Sequence, residues 1–321
     1  MSTLANPING DLEMNELCNS FFSVIPGIEN AAGVNVVNAS DLCESSFKRD
    51  WVSQNKPCLI KGAVKHWPAV KKWKDKDYWL SACENFKLHV YPHQNFNNQA
   101  RHKDGREEMQ FHDAIERLFQ NQDKILSLPG EVISPNNRFK GIIKDLGGFE
   151  FLDPEEKPRL YSQRRFFIYR RAATAWHYHD ADETLMCQVN GSKRVALLPP
   201  GIPQVKQITD FLEKEKHLEG EALDKELKLN SFIADVEEGD ALYIPPYWHH
   251  GVVPTDGKIG FTLAYCWASP IHILGDFSNY FVRNLYRRGL WPIRQISIAL
   301  PFIGFYAGLS HLMRKVFYKI H

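Results

Sequence analysis

From Phe166 to Trp267 the chain never runs far without a turn signal, and that punctuation constrains the fold more than any other feature. Short runs of apolar, aromatic and β-branched character occur at Phe166–Tyr169, Thr174–His179, Leu185–Val189, Arg194–Leu198, Ala241–Ile244 and Phe261–Trp267. Between them stand Asn190-Gly191, Pro199-Pro200-Gly201, Glu238-Gly239-Asp240, Pro245-Pro246 and Asp256-Gly257. Runs this short read as strands rather than helices. Asn190-Gly191 is a tight-turn signal, which makes Arg194–Leu198 a return strand, and Asp256-Gly257 predicts a second hairpin. Many short strands joined by turns predict a β-sandwich or barrel. Residues 203–235 interrupt the pattern with a charged, helix-prone insertion, expected as a lid, a recognition loop or a solvated helical pair.

The flanks read differently. Residues 1–36, rich in Asn, Gly and Ser, are expected to form a loose lead-in. Phe47 and Trp51 belong to a short helical stretch, and Pro57–Gly62 reads as a strand ending in a glycine. Residues 74–130 look mixed and helical, with Phe111–Gln120 the best helix, and 131–160 are loop-rich. The expected fold class is mostly β with helices (α+β), with one domain over 37–270, N-terminal helical decoration and a C-terminal helical tail over 271–321.

At 44% hydrophobic and 12% aromatic content, the chain buries a sizeable core and is not a disordered solvator. Six widely spaced cysteines without a CxxC read as free thiols in a reducing compartment. No apolar signal segment opens the chain, so a cytoplasmic start is expected. The net charge of +1 hides an asymmetry. After Asp276 there is no acidic residue, but Arg283, Arg287, Arg288, Arg294, Arg314, Lys315 and Lys319 give the tail +7 and leave the body at −6. An acidic body argues against a nucleic-acid coat, and no nucleic-acid module is visible.

Two histidine groups carry the chemistry: Trp176-His177-Tyr178-His179-Asp180 and Trp248-His249-His250-Gly251. Side chains two apart on a strand share a face. His177 and His179 therefore point into one cavity, and a distant histidine completes a facial set that leaves positions open for substrate and oxygen. Such a set suits non-haem Fe(II). His249, adjacent to His250 on an extended segment, faces away. Tyr161, Tyr169, Tyr243, Tyr247, Trp176 and Trp248 are candidate pocket walls.

Residues 176–200 (WHYHDADETLMCQVNGSKRVALLPP) and 237–252 (EEGDALYIPPYWHHGV), preceded by PCLIKG at 57–62 with Trp67-Pro68 and Trp73, resemble the cupin-like branch of the JmjC-type 2-oxoglutarate oxygenases. The matched segments run in family order over roughly residues 47–267. The resemblance implies a double-stranded β-helix (cupin or jelly roll) that binds Fe(II) and 2-oxoglutarate and hydroxylates a C–H bond. By position it makes His177 and His250 metal ligands, and Thr174 and Lys193 the grip on 2-oxoglutarate. An ammonium at Lys193 is also a good partner for a distal carboxylate on physical grounds.

The family pattern is His-x-Asp or His-x-Glu, and here position 179 is His with Asp180 one residue later. Two solutions stand. His179 binds directly, as strand alternation favours, or a bulge swings Asp180 inward, as the family habit favours. The residue that does not bind then supports the ligands through a hydrogen bond. A three-histidine set opens a second reading, a cupin dioxygenase that uses no 2-oxoglutarate. A third is a catalytically silent, membrane-associated binding module.

The tail contains an uncharged stretch, residues 295–313, flanked by basic residues. It is expected as a helix that mediates a homodimer or packs on the core, as an interfacial anchor on an anionic leaflet, or as a marginal span kinked at Pro301. The anchor reading would put the protein at the inner face of a membrane. The expected substrate is a small molecule, a lipid-linked molecule or a protein.

Overall fold

Between residues 164 and 268 the chain crosses repeatedly between two facing sheets. The computed structural model describes residues 17–92, 106–120, 125–153, 156–287 and 300–317. The five-stranded sheet has the order β1 (Ala32–Gly33), β11 (Phe232–Val236), β10 (Lys193–Leu198), β13 (His249–Pro254) and β8 (Thr174–His177). The seven-stranded sheet runs β2 (Asn35–Asn38), β3 (Cys58–Lys61), β12 (Ala241–Ile244), β9 (Asp182–Asn190), β14 (Gly260–Ala268), β7 (Arg164–Arg170) and β6 (Leu126–Val132). A separate hairpin pairs β4 (Lys87–Val90) with β5 (Glu107–Gln110). Val195, Leu197 and Val252 of the first large sheet pack against Leu59, Met186, Leu242 and Ile244 of the second. The result is a jelly roll of the cupin type with an apolar seam between its sheets.

The turns fall where the sequence puts them, but the pairing differs. Gly191 adopts φ 76 and Gly239 φ 90, conformations that favour glycine. The residue after Gly239 fastens the corner, because Asp240 accepts hydrogen bonds from the Gly62 amide at 2.9 Å and Lys61 Nζ at 2.7 Å. Asn190-Gly191 does not close a hairpin. β9 is already hydrogen-bonded to β12 and β14, so it has no edge to offer β10, and the turn carries the chain across to the other sheet. The turn at Asp256-Gly257 likewise passes from β13 to β14 in the opposite sheet.

Helices cover the outer face of the seven-stranded sheet: α1 (Glu44–Asp50), α2 (Ala69–Lys72), α3 (Lys76–Ala82) and α4 (Phe111–Gln120). Phe47, Trp67, Trp73, Trp79 and Phe111 are buried there with Phe166 and Phe261 of the sheet. The Trp79 ring stacks on Phe261 at 5.3 Å. Asp145 is fully buried within this layer, and its charge is met by Lys72 Nζ at 2.8 Å and by hydrogen bonds from Trp73 Nε1 and the Tyr78 hydroxyl.

Residues 17–36 are not a loose lead-in. Cys18, Phe22, Ile25 and Ile28 are buried against Trp176 and Leu198, and β1 and β2 each extend a sheet by parallel pairing. Residues 1–16 lie outside the described residues. Only part of the insertion is helical: α5 (Val205–Glu213) adds Ile208, Phe211 and Leu212 to the same cluster, and residues 232–235 belong to β11 of the five-stranded sheet.

Beyond the jelly roll, α6 (Tyr280–Arg287) buries Phe281, Val282 and Leu285. The helix α7 (Leu300–Phe317) docks on the turn Ile273–Gly275 through buried Ala307 and Gly308, and its Gly304 lies against Tyr286 and Phe277. Its other face carries exposed Phe302, Phe305, Tyr306, Leu309, Leu312, Met313 and Val316, with the two phenylalanines 74% exposed. Among the described residues no helix is long and apolar enough to cross a membrane. Residues 295–299 of the uncharged stretch, and Arg288, Arg294 and Lys319, lie outside the described residues.

Candidate metal centre

His250 and His177 are direct register partners on β13 and β8. Their rings lie 4.1 Å apart, centroid to centroid. β8 ends at His177, and His179 follows in the connection to β9. That connection turns sharply. Ala181 takes φ 54, unusual for a residue with a side chain, and the Asp182 amide donates to the Asp180 carbonyl at 2.7 Å. The Tyr247 amide donates to the His179 carbonyl at 2.9 Å, tying the turn to the approach of β13.

The outcome is that His177, His179 and His250 bring one ligand atom each within 4.8 Å of one another. Asp180 is not part of this cluster and does not line the cavity around it. Its place is set by the turn, with its amide toward the Tyr161 hydroxyl at 3.4 Å.

Each ring of the triad is held through Nδ1. His177 Nδ1 donates to the Ala175 carbonyl at 2.8 Å and His250 Nδ1 to the Trp248 carbonyl at 2.9 Å. A carbonyl only accepts, so the proton is on Nδ1 and the lone pair on Nε2 in both rings. His179 Nδ1 meets the Thr184 hydroxyl at 2.8 Å. Burial depresses the basicity of all three, and for His177 and His179 the next contribution is the neighbouring His250. His177 and His179 are held well below the usual histidine range, and His250 falls to about 4. Neutral imidazoles with fixed tautomers suit a divalent transition metal. His249 faces the other way, against Tyr178 at 4.9 Å and Phe281 at 5.3 Å.

The triad opens into a cavity of about 360 Å³ between the sheets, lined also by Thr174, Lys193, Tyr161, Arg165, Met186 and Ile244. Lys193 stands opposite Pro254, four residues from His250, which is about 13 Å along the strand. Thr174 stands opposite Val252 between those levels. Lys193 is 5% exposed, its Nζ lies 4.0 Å over the Tyr169 ring, and no carboxylate is within ion-pair distance among the described residues. Burial lowers it from an ordinary 10.5 to about 7.

Of the six candidate wall aromatics, Tyr161 lines the cavity and Tyr169 underlies Lys193. Tyr243, Tyr247, Trp176 and Trp248 belong to four different core clusters. No residue of 203–235 lines the cavity, so the insertion does not cover it. Thr184 and Arg165 are additions that sequence reading missed. Arg165 stands beside Arg164 at the start of the run Phe166-Phe167-Ile168-Tyr169, and nothing in that spacing separates it from an exposed strand-end cation.

A jelly roll with inward histidines on neighbouring strands of one sheet and on the turn that follows defines a metal-binding cupin. The chain belongs to the cupin-like domain family, whose profile matches residues 44–272. Similar proteins include Jumonji C domain-containing protein 5 of Drosophila melanogaster, 24% identical over 64% of this chain and 53% of that protein. The match therefore spans about half of the fly protein's length. Lysine-specific demethylase JMJ32 of Arabidopsis thaliana is 26% identical over 75% of this chain and 84% of its own. The human bifunctional peptidase and (3S)-lysyl hydroxylase JMJD7 is 24% identical over 68% of this chain and 80% of its own.

Proposed function

We propose that this protein is an oxygenase that holds Fe(II) through His177, His179 and His250, binds 2-oxoglutarate, and hydroxylates a C–H bond of its substrate. The family supports an oxygenase, and relatives carry hydroxylase and demethylase names. The observation that favours 2-oxoglutarate is Lys193. A buried ammonium without a carboxylate, facing the same cavity as the triad, is costly unless an anion enters. A dicarboxylate whose keto-acid end lies at the triad would bring its far carboxylate toward Lys193, with the Thr174 hydroxyl between the two.

The metal and co-substrate together supply the activation of dioxygen when bound. The chain's own residues do the rest. Ala175, Trp248 and Thr184 fix the imidazoles through Nδ1. Lys193 and Thr174 orient the co-substrate. Met186, Ile244, Val252 and Ala264 wall the cavity with apolar surface and exclude water.

A second reading, a three-histidine cupin dioxygenase that needs no 2-oxoglutarate, is favoured by the absence of a carboxylate from the triad. Anaerobic titration with Fe(II) and then 2-oxoglutarate separates the two. A visible metal-to-ligand charge-transfer band that fails to form in Lys193→Met, with iron still bound, is the expected result. Iron binding without the band in the wild type points to the second reading. No iron binding at all points to a silent binding module.

A further inference from the structure

The cavity contains a second cation, and it is on the opposite sheet from the first. Lys193 belongs to β10 of the five-stranded sheet, while Arg165 belongs to β7 of the seven-stranded one. Arg165 pairs with Ala264 of β14, itself a lining residue. Its guanidinium carbon lies 4.9 Å over the Tyr161 ring, and Tyr161 in turn lies 5.5 Å from the His179 ring. Its nearest polar neighbour on β14 is the Cys266 Sγ, 4.0 Å from an amino nitrogen, and Cys266 contacts Thr184, the residue that holds His179. Arg165 thus approaches the triad from the His179 side.

The Tyr161 ring and Cys266 are the contacts its guanidinium makes, and neither is an anion. Its Nε is buried without a hydrogen-bond partner, and no carboxylate lies within ion-pair distance among the described residues. The cavity lining has neither Asp nor Glu. Guanidinium groups are suited to two-pronged contacts with carboxylate or phosphate, and leaving such donors unsatisfied in a buried place is costly.

We propose that Arg165 receives an anionic group, carboxylate or phosphate, on the molecule that is oxidised. This rests on the oxygenase reading above. If 2-oxoglutarate occupies Lys193, one anion receptor remains, on the other sheet. The metal ligands add no negative charge, so the filled site has a positive surplus at Arg165. A substrate whose reacting part carries a cation, such as a lysine side chain, would meet that surplus and be repelled, whereas an anionic substrate is drawn in and oriented by it.

The test uses the full chain, in excess over Mn(II) so that little metal is free, with 2-oxoglutarate at saturation. Propionate, inorganic phosphate, propionamide and n-butylamine are added in turn. The readout is the broadening of each probe's nuclear magnetic resonance lines by the bound Mn(II). Propionate and phosphate should broaden, and propionamide and butylamine should not. Arg165→Gln should weaken the anion effect by about tenfold or more while 2-oxoglutarate affinity is kept. Arg165→Lys, which keeps the charge without the planar fork, should fall between, and it stands in if the glutamine variant does not fold. Equal broadening by butylamine, or unchanged anion broadening in folded Arg165 variants, overturns the proposal and leaves the oxygenase reading standing. Failure of the wild type to bind Mn(II) or 2-oxoglutarate overturns both.

Discussion

Thr184 on β9 reaches His179 across the mouth of the jelly roll, with 2.8 Å between its hydroxyl and Nδ1. The contact links the histidine that follows β8 to the opposite sheet. It is the only one of the three Nδ1 contacts made by a side chain, since His177 and His250 are held by backbone carbonyls. The orientation of His179 therefore depends on sequence in a way the other two do not. Thr184→Val keeps the shape and removes the hydroxyl. It should lower Fe(II) affinity by about 10–100-fold, measured by anaerobic equilibrium dialysis, with far-ultraviolet circular dichroism unchanged.

His179 and Asp180 make opposite predictions on substitution. His179→Ala should abolish tight Fe(II) binding, because it removes one of three converging ligand atoms. Asp180→Ala should change the affinity little, because its carboxylate lies outside the cluster. The reverse result, loss of iron in the aspartate variant alone, would mean that the turn at Ala181 rearranges to bring Asp180 in.

Lys193 sets a proton count. In the empty cavity burial holds it at about 7, so at pH 8 it is largely neutral. A carboxylate placed beside it restores a high value, so binding 2-oxoglutarate at pH 8 should take up a proton. Calorimetry in two buffers of different ionisation enthalpy measures that uptake. It should vanish in Lys193→Met and shrink as the pH falls below 7, where the ammonium is already charged.

Glu183 makes a prediction about stability. It is fully buried on the outer face of β9, accepts a hydrogen bond from Tyr243 at 2.6 Å, and is pushed by burial from an ordinary 4.5 up to about 8. The folded state thus binds more protons than the unfolded state between those values, so this group's contribution to stability falls as the pH rises from 4.5 to 8. Glu183→Gln removes that slope. Relative to wild type, the variant should gain up to about 1.4 kcal/mol per pH unit across the window, read from urea unfolding at pH 6 and pH 8. A gap that stays constant with pH would mean that the carboxyl is ionised throughout.

Much of the jelly roll was legible because its strands end at residues with a backbone reason to turn. Gly191 and Gly239 both take positive φ, and the predicted strand Ala241–Ile244 and helix Phe111–Gln120 coincide with the observed elements. Which strand neighbours which was not legible. A two-residue turn such as Gly191-Ser192 looks the same whether it closes a hairpin or passes between sheets, and only the occupied edges of β9 decide. The same limit hid the parallel pairing of β1, two residues long, whose partner β11 is about two hundred residues away.

In the site, His177, His179 and His250 were readable as two inward residues of one segment plus a distant histidine, which the fold puts on the neighbouring strand. Arg165 was not, because β7 packs between β6 and β14 with other residues against both of its faces, and alternation cannot say which face meets the cavity. Thr184 was missed for a related reason. Its role depends on the Ala181 turn, which fixes where β9 starts relative to His179.

The seat of α7 on the body includes a close main-chain contact. A methyl group at Gly275 would run into the Ala307 carbonyl, and Gly308 lies against Phe277. The turn and the helix therefore meet backbone to backbone at Gly275 and Ala307, where a side chain on residue 275 would have no room. The aromatic edge formed by Phe302, Phe305 and Tyr306 is therefore presented at a fixed angle to the jelly roll.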